Sequence, residues 1–218
     1  MLPSRETPFG RTVSSYRSLG DFLEPSPKSA LRHSNSQHDI TYRKLFNFVR
    51  DFDIPVPNHG SLQKPVLAIL LPNGPLLAAT VLAAATWYTA APINPAAGAE
   101  QVAADIALSG ASAILSCRME AEKLQLGQMD LSLFFIEDVG ESIQVNYSGG
   151  GALYTGTKPV PNRDDDISII LFTSGTSGSK KVVPMTTHSI VCGVGFVIES
   201  WALRETDVCL NMMPLYHV

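Results

Sequence analysis

Residues 66–71, Val-Leu-Ala-Ile-Leu-Leu, are apolar at every position. A strand wetted on one face alternates apolar and polar residues. A strand that is apolar throughout has to be covered on both faces, as in a parallel sheet. A helical pattern follows at once. Pro75 opens it where a fixed φ and a missing N–H do no harm, and an alanine-rich run carries it to about residue 88. Further short strands are expected at 91–94, 113–115 and 133–136, with helices over 99–108 and 120–126 between them. Gly110 marks the end of the first of these helices. This alternation predicts an α/β fold with mostly parallel sheets flanked by helices on both faces.

Ahead of this unit, residues 1–14 read as a flexible arm and 16–23 as a short helix. Residues 30–33 and 39–42 read as two strands around the turn at 35–38. Thr41 is placed to cap a helix carrying Leu45, Phe46, Phe48 and Val49. Behind it, 147–163 reads as a flexible connection, because it contains Gly149-Gly150-Gly151, Pro159 and Pro161. Strands follow at 167–172 and 182–185, then a helix capped by Thr187 and reaching about Trp201, then an apolar strand at 208–212. No internal repeat is present.

The chemistry is concentrated after the strand at 167–172. The chain breaks there into Thr173-Ser174-Gly175-Thr176-Ser177-Gly178-Ser179 and closes on Lys180 and Lys181. Glycines let successive backbone N–H groups point into one concavity, which is an anion site. The hydroxyls add donors and the lysine adds charge that reaches past the loop. A solvated surface turn has similar composition, but a buried strand does not ordinarily feed one and two lysines do not ordinarily end one. The spacing is not that of a Walker A loop, and no G-x-G-x-x-G follows the earlier strands. Ser177-Gly178-Ser179-Lys180 fits S-x-x-K, but no S-D-N or K-T-G follows.

Composition narrows the class. Of the 218 residues, 45% are hydrophobic and 17% charged, and the net charge is −4. A chain with no basic footprint is not expected to bind nucleic acid. The three cysteines, Cys117, Cys192 and Cys209, are widely spaced in apolar surroundings. That pattern argues for reduced, core-like thiols in an intracellular protein and against a disulfide frame or metal site. The apolar stretch 76–91 is too short to span a bilayer, and Pro72-Asn73-Gly74-Pro75 separates it from the run before it. Arg5, Arg11 and Arg17 among serines faintly suggest a transit peptide, and the arm reading is preferred.

The segment from Thr173 to Val183 resembles the phosphate loop of the adenylate-forming (AMP-dependent synthetase/ligase) superfamily, T-S-G-[ST]-[ST]-G-x-P-K-G-[VA]. Thr173 to Gly178 match position by position and Lys181 falls on the family lysine. Lys180 replaces the family proline and Val182 replaces a glycine. Thr41-Tyr42-Arg43-Lys44-Leu45 resembles the "TYRxL" opening of acyl-CoA synthetases. Leu71-Pro72-Asn73 and Pro92-Ile93-Asn94-Pro95 stand where that family has "LPN" and "P.N". Pro214-Leu215-Tyr216-His217 resembles its "P-[LM]-[FY]-H" motif.

The resemblance implies the fold of an adenylate-forming enzyme's N-terminal, AMP-binding domain over 15–218, in part. It implies that Thr173, Ser174, Gly175, Thr176, Ser177, Gly178 and Lys181 bind the β- and γ-phosphates of ATP with Mg2+. Lys181 is the implied catalytic cation, and Tyr216 and His217 line the substrate pocket. The implied reaction joins a carboxylic acid to AMP and then to a thiol of CoA or a carrier protein. The family's adenine-binding and ribose-binding segments and its C-terminal lid domain have no counterpart here. The chain is therefore expected to be an N-terminal piece, inactive alone, that works with downstream domains of the same enzyme in the cytoplasm or peroxisome. Three other readings stay open: a non-catalytic ATP- or anion-binding module, an inert scaffold, and the adenylation domain of a multidomain synthetase or reductase. Fatty, aryl, dicarboxylic and amino acids all remain possible substrates.

Overall fold

Two short antiparallel strands, β1 (Ser29–Leu31) and β2 (Ile40–Thr41), lead into helix α1 (Tyr42–Asp51). The computed structural model of the chain describes residues 16–33, 39–56, 64–150, 158–173 and 180–217. Thr41 caps α1 as its sequence position predicts, its Oγ1 accepting from the Lys44 N–H at 3.2 Å. The next elements are β3 (Val66–Leu70), α2 (Pro75–Trp87), β4 (Thr89–Pro92), α3 (Ala99–Ser109), β5 (Ala113–Ser116) and α4 (Arg118–Lys123). After them come β6 (Ser132–Val139), β7 (Ser142–Gly149), β8 (Ile167–Thr173), β9 (Lys181–Thr186) and α5 (Thr187–Ser200).

Seven strands form one sheet in the order β7-β6-β5-β3-β4-β8-β9. Its four inner pairings are parallel, and the outer pairs β6–β7 and β8–β9 are antiparallel. The expected mostly parallel α/β architecture is present. Side chains alternate across β3, so that Leu67 and Ile69 enter one core while Ala68 and Leu70 enter the other. The first core also holds Leu45, Phe48 and Val49 of α1 and Leu77, Ala79, Ala83 and Ala84 of α2. The second holds Val102 and Ile106 of α3 with Ala121 and Leu124. Each fully buried Leu or Ile contributes about 1.5–3 kcal/mol. A one-residue slip of β3 would exchange its two faces and misplace all of them, so the register is pinned.

α2 is buried on most of its surface, and the hydroxyls of Thr80 and Thr86 are satisfied within the helix by the carbonyls of Leu76 and Leu82. Pro75 stands at its first position, as expected. Gly110 ends α3 in the left-handed conformation, φ +66°, where a side chain would be strained.

Several expectations are corrected. The stretch 147–163 is not one loose connection. β7 runs through Tyr147 to Gly149, and its alternating Ile143, Val145 and Tyr147 carry the period-2 signal of a strand. Further on, Asn162 is buried, its N–H bonding to the Thr86 carbonyl at 2.7 Å. Its Nδ2 donates to the carbonyls of Ala85 at 2.9 Å and Tyr88 at 2.6 Å, closing the end of α2. Residues 208–212 form no strand. Val208, Leu210 and Met212 are 94%, 80% and 79% exposed, with no strand beside them among the described residues to bond their backbone. The cap of α5 is Thr186, not Thr187; Thr186 Oγ1 accepts from the Ser189 N–H at 3.2 Å. Thr187 is instead buried against Ser168. All three cysteines are free, but Cys209 is exposed rather than core-like, because it lies in the strandless segment. Among the described residues no helix is long and apolar enough to cross a membrane. The arm at 1–14 lies outside the described residues.

Replacing Asn162 with Leu leaves two carbonyls at the end of α2 without a donor. The expected cost is about 1–3 kcal/mol. A lower urea midpoint at an unchanged m-value would show it, and an unchanged midpoint would refute the role.

Candidate functional site

Open parallel sheets collect their ligand groups beyond the carboxyl ends of the strands, where the loops from several strands meet. β3, β4 and β8 run parallel, so the segments after Leu70, Pro92 and Thr173 emerge at one edge. The chain's last described segment reaches the same edge. The Leu215 N–H donates to Asn73 Oδ1 at 3.0 Å, and Leu215 and Tyr216 pack against the first core. Tyr216 is half-buried and His217 exposed, with the His217 N–H bonded to the Pro214 carbonyl at 3.1 Å.

Of the predicted phosphate-loop residues, Thr173 and Lys181 are placed and Ser174, Gly175, Thr176, Ser177 and Gly178 lie outside the described residues. Thr173 ends β8, Lys181 begins β9, and the antiparallel register sets them directly opposite one another. Paired residues project to the same side of a sheet. Phe172 packs against the α3 core and Ile169 against the α2 core, so Thr173 and Lys181 share the α2 side. Pro214–His217 approaches from that side as well, through Asn73 at the start of the α2 loop.

The two adjacent lysines part company. Lys180 Nζ sits 2.6 Å from Asp105 Oδ2 on α3, and the Asp105 side chain is only 3% exposed. Gln101 Nε2, one turn earlier, donates to Asp105 Oδ1 at 2.8 Å. Both carboxylate oxygens are thus engaged, as a buried charge requires. Lys181 is exposed, and its amine has no hydrogen-bond or ion-pair partner among the described residues. It is the lysine left available to an anion.

The Asp105 pair was not foreseen from the sequence, although a signal existed. Asp105 lies between the core residues Val102 and Ile106 of α3, and an acid on the apolar face of a helix calls for a cation to meet it. Among the described residues no group of three His, Cys, Asp or Glu side chains is arranged to hold a metal ion.

The family model described as AMP-binding enzyme matches residues 24–218. The chain belongs to the AMP-binding enzyme family. Among relatives, the oxalate–CoA ligase of Arabidopsis thaliana is 27% identical over 206 residues, covering 90% of this chain and 38% of that protein. The chain thus spans well under half the length of that relative. Among solved structures, the fatty acyl-adenylate ligase from L. pneumophila, in complex with acyl adenylate and pyrophosphate, matches with TM-score 0.70 and 17% identity. That match covers 94% of this chain and 36% of the other. The O-succinylbenzoate coenzyme A synthetase of Bacillus subtilis, in complex with ATP and magnesium, matches with TM-score 0.60 and 17% identity, over 84% of this chain and 46% of its own. These two likenesses show a shared fold.

An amine-directed acylating reagent is expected to label Lys181 several-fold faster than Lys180, because only the second is held by a buried carboxylate. Peptide mass spectrometry at short times reads the ratio. Equal rates would contradict the separation of the two lysines.

Proposed function

We propose that the edge carrying 173–181 grips the triphosphate of ATP, and that this chain brings that grip to the activation of a carboxylic acid. The single observation that supports it most is the free amine of Lys181. It stands across from Thr173 at the carboxyl edge of the sheet, in a chain of the AMP-binding enzyme family. In the proposed reaction a carboxylate oxygen bonds to the α-phosphorus and the bond from phosphorus to pyrophosphate breaks. The thiol of CoA or of a carrier protein then attacks the acyl carbonyl, and AMP leaves.

Charge grows on the departing pyrophosphate, and preorganised donors and cations aimed at it lower the barrier. Lys181 is the catalytic cation of this reading. The hydroxyls and amides of Thr173, Ser174, Gly175, Thr176, Ser177 and Gly178 are the donors. Losing one such donor costs on the order of 3 kcal/mol. Mg2+ enters as the counter-ion of the phosphates. Tyr216 and His217, on the same edge, are proposed to line the acid's pocket. Further domains of the same enzyme would supply the adenine and ribose contacts. The proposed setting is intracellular, cytoplasmic or peroxisomal.

Two outcomes are expected. In a complete enzyme containing this chain, Lys181→Ala should slow ATP–pyrophosphate exchange about 10²–10³-fold, and Lys180→Ala far less. Equal losses would refute the assignment of the phosphate cation. The 218-residue chain alone is expected to form no acyl-adenylate while still binding Mg·pyrophosphate by calorimetry. Lys181→Met should weaken that binding by more than about tenfold while leaving a measurable residue. Robust adenylate formation, or no pyrophosphate binding, would overturn the reading.

A further inference from the structure

Lys180 cannot serve as a second phosphate cation without abandoning Asp105. The carboxylate of Asp105 is almost wholly buried, and removing its cation would leave that buried charge uncompensated. Lys180 therefore stays where it is, on the α3 side of the sheet.

What the pair does follows from its place in the chain. Lys180 immediately precedes Lys181, the first residue of β9. Successive residues of extended backbone point to opposite faces. A side chain clamped at 180 thus sets the rotation of the peptide that aims the side chain at 181. We infer that Lys180 and Asp105, steadied by Gln101, are positioning residues that aim Lys181 at the phosphates. The inference rests on the nucleotide reading proposed above. It adds to it that this chain, with lysine in place of the family proline at 180, holds the end of its phosphate loop by charge rather than by a rigid ring.

The pair ties together α3 and the start of β9, which no backbone hydrogen bond joins among the described residues. α3 lies on one face of the sheet, while Lys181 and Thr173 lie on the other. Gln101 and Asp105 sit one turn apart on α3, whose Val102 and Ile106 are fixed in the second core. The anchor point is accordingly rigid, and Lys180 transfers that rigidity to the start of β9.

The test uses a variant that should fold. Lys180→Met combined with Asp105→Leu removes both charges and leaves no buried carboxylate alone, which is often neutral for stability. The purified chain is titrated with Mg·pyrophosphate by calorimetry, and its thermal midpoint is recorded alongside. The double variant is expected to keep its midpoint within a few degrees and to bind pyrophosphate about tenfold more weakly. Lys180→Arg, which preserves the pair, is expected to keep wild-type affinity. In a Lys181→Met background the same double change should alter residual binding by less than about twofold, because the pair acts through Lys181.

Unchanged affinity in the double variant overturns the inference and leaves the nucleotide reading standing. So does an equal loss with and without Lys181, which would mark the pair as a general structural brace. Absence of pyrophosphate binding by the wild-type chain overturns the nucleotide reading, and this inference with it.

Discussion

Burial of β3 on both faces is the constraint from which the rest descends. Leu67 and Ile69 commit one face to α1 and α2, and Ala68 and Leu70 commit the other to α3 and α4. The backbone N–H and C=O groups of so deeply buried a strand need partners on either side, and β4 and β5 supply them in parallel register. Parallel neighbours must be joined by crossovers, which is what α2 and α3 are. All the strands that run with β3 then point their carboxyl ends one way. Thr173 and the two adjacent lysines fall at that edge because β8 joins the sheet beside β4 in the same direction and β9 returns from it.

The antiparallel return of β9 divides charge between the two faces. The chain is acidic overall, at −4, so attraction of a polyanion has to be local rather than global. Exposed charges act over only about 8 Å at physiological salt. Two neighbouring lysines would repel each other if both pointed into one loop. The alternation of the strand sends one to Asp105 and the other to the opposite face. Asp105 thereby neutralises Lys180, and Lys181 keeps an amine with no ion-pair partner among the described residues.

Much of this was legible in the sequence. Continuous apolar runs gave β3 and β8, Pro75 gave the start of α2, Gly110 gave the end of α3, and Thr41 gave the cap of α1. These are local signals with local causes. The failures share another cause. The three glycines at 149–151 suggest a loop beside β7, although Ile143, Val145 and Tyr147 alternate. Residues 208–212 read as a strand because they are apolar, but a strand exists only when another backbone takes its hydrogen bonds. Asn162 carries no local signal because the carbonyls it meets lie 74–77 residues away, and Asp105 shows an acid on an apolar helix face but not its cation, 75 residues away. The motif was legible, whereas the bonds that hold β8 and the start of β9 were not.

Those bonds hold β8 although its register with β4 is confined to the pairing of Ala90 and Ile169. The root of β8 is bonded from three directions. Thr89 Oγ1 donates to the Ile167 carbonyl at 2.6 Å. Ser168 Oγ meets Thr187 Oγ1 of α5 at 2.7 Å and accepts from Asn162 Nδ2 at 3.2 Å. All of these side chains are buried, where a hydrogen bond is stronger and an unmade one more costly than in water. At the other end, the start of β9 is tied to α3 by Lys180 and Asp105. The root of β8 is therefore held by neutral hydrogen bonds and the start of β9 by one ion pair. Among the described residues of these two strands, the fixing that depends on charge is the one at the start of β9, and it lies on the face opposite Lys181.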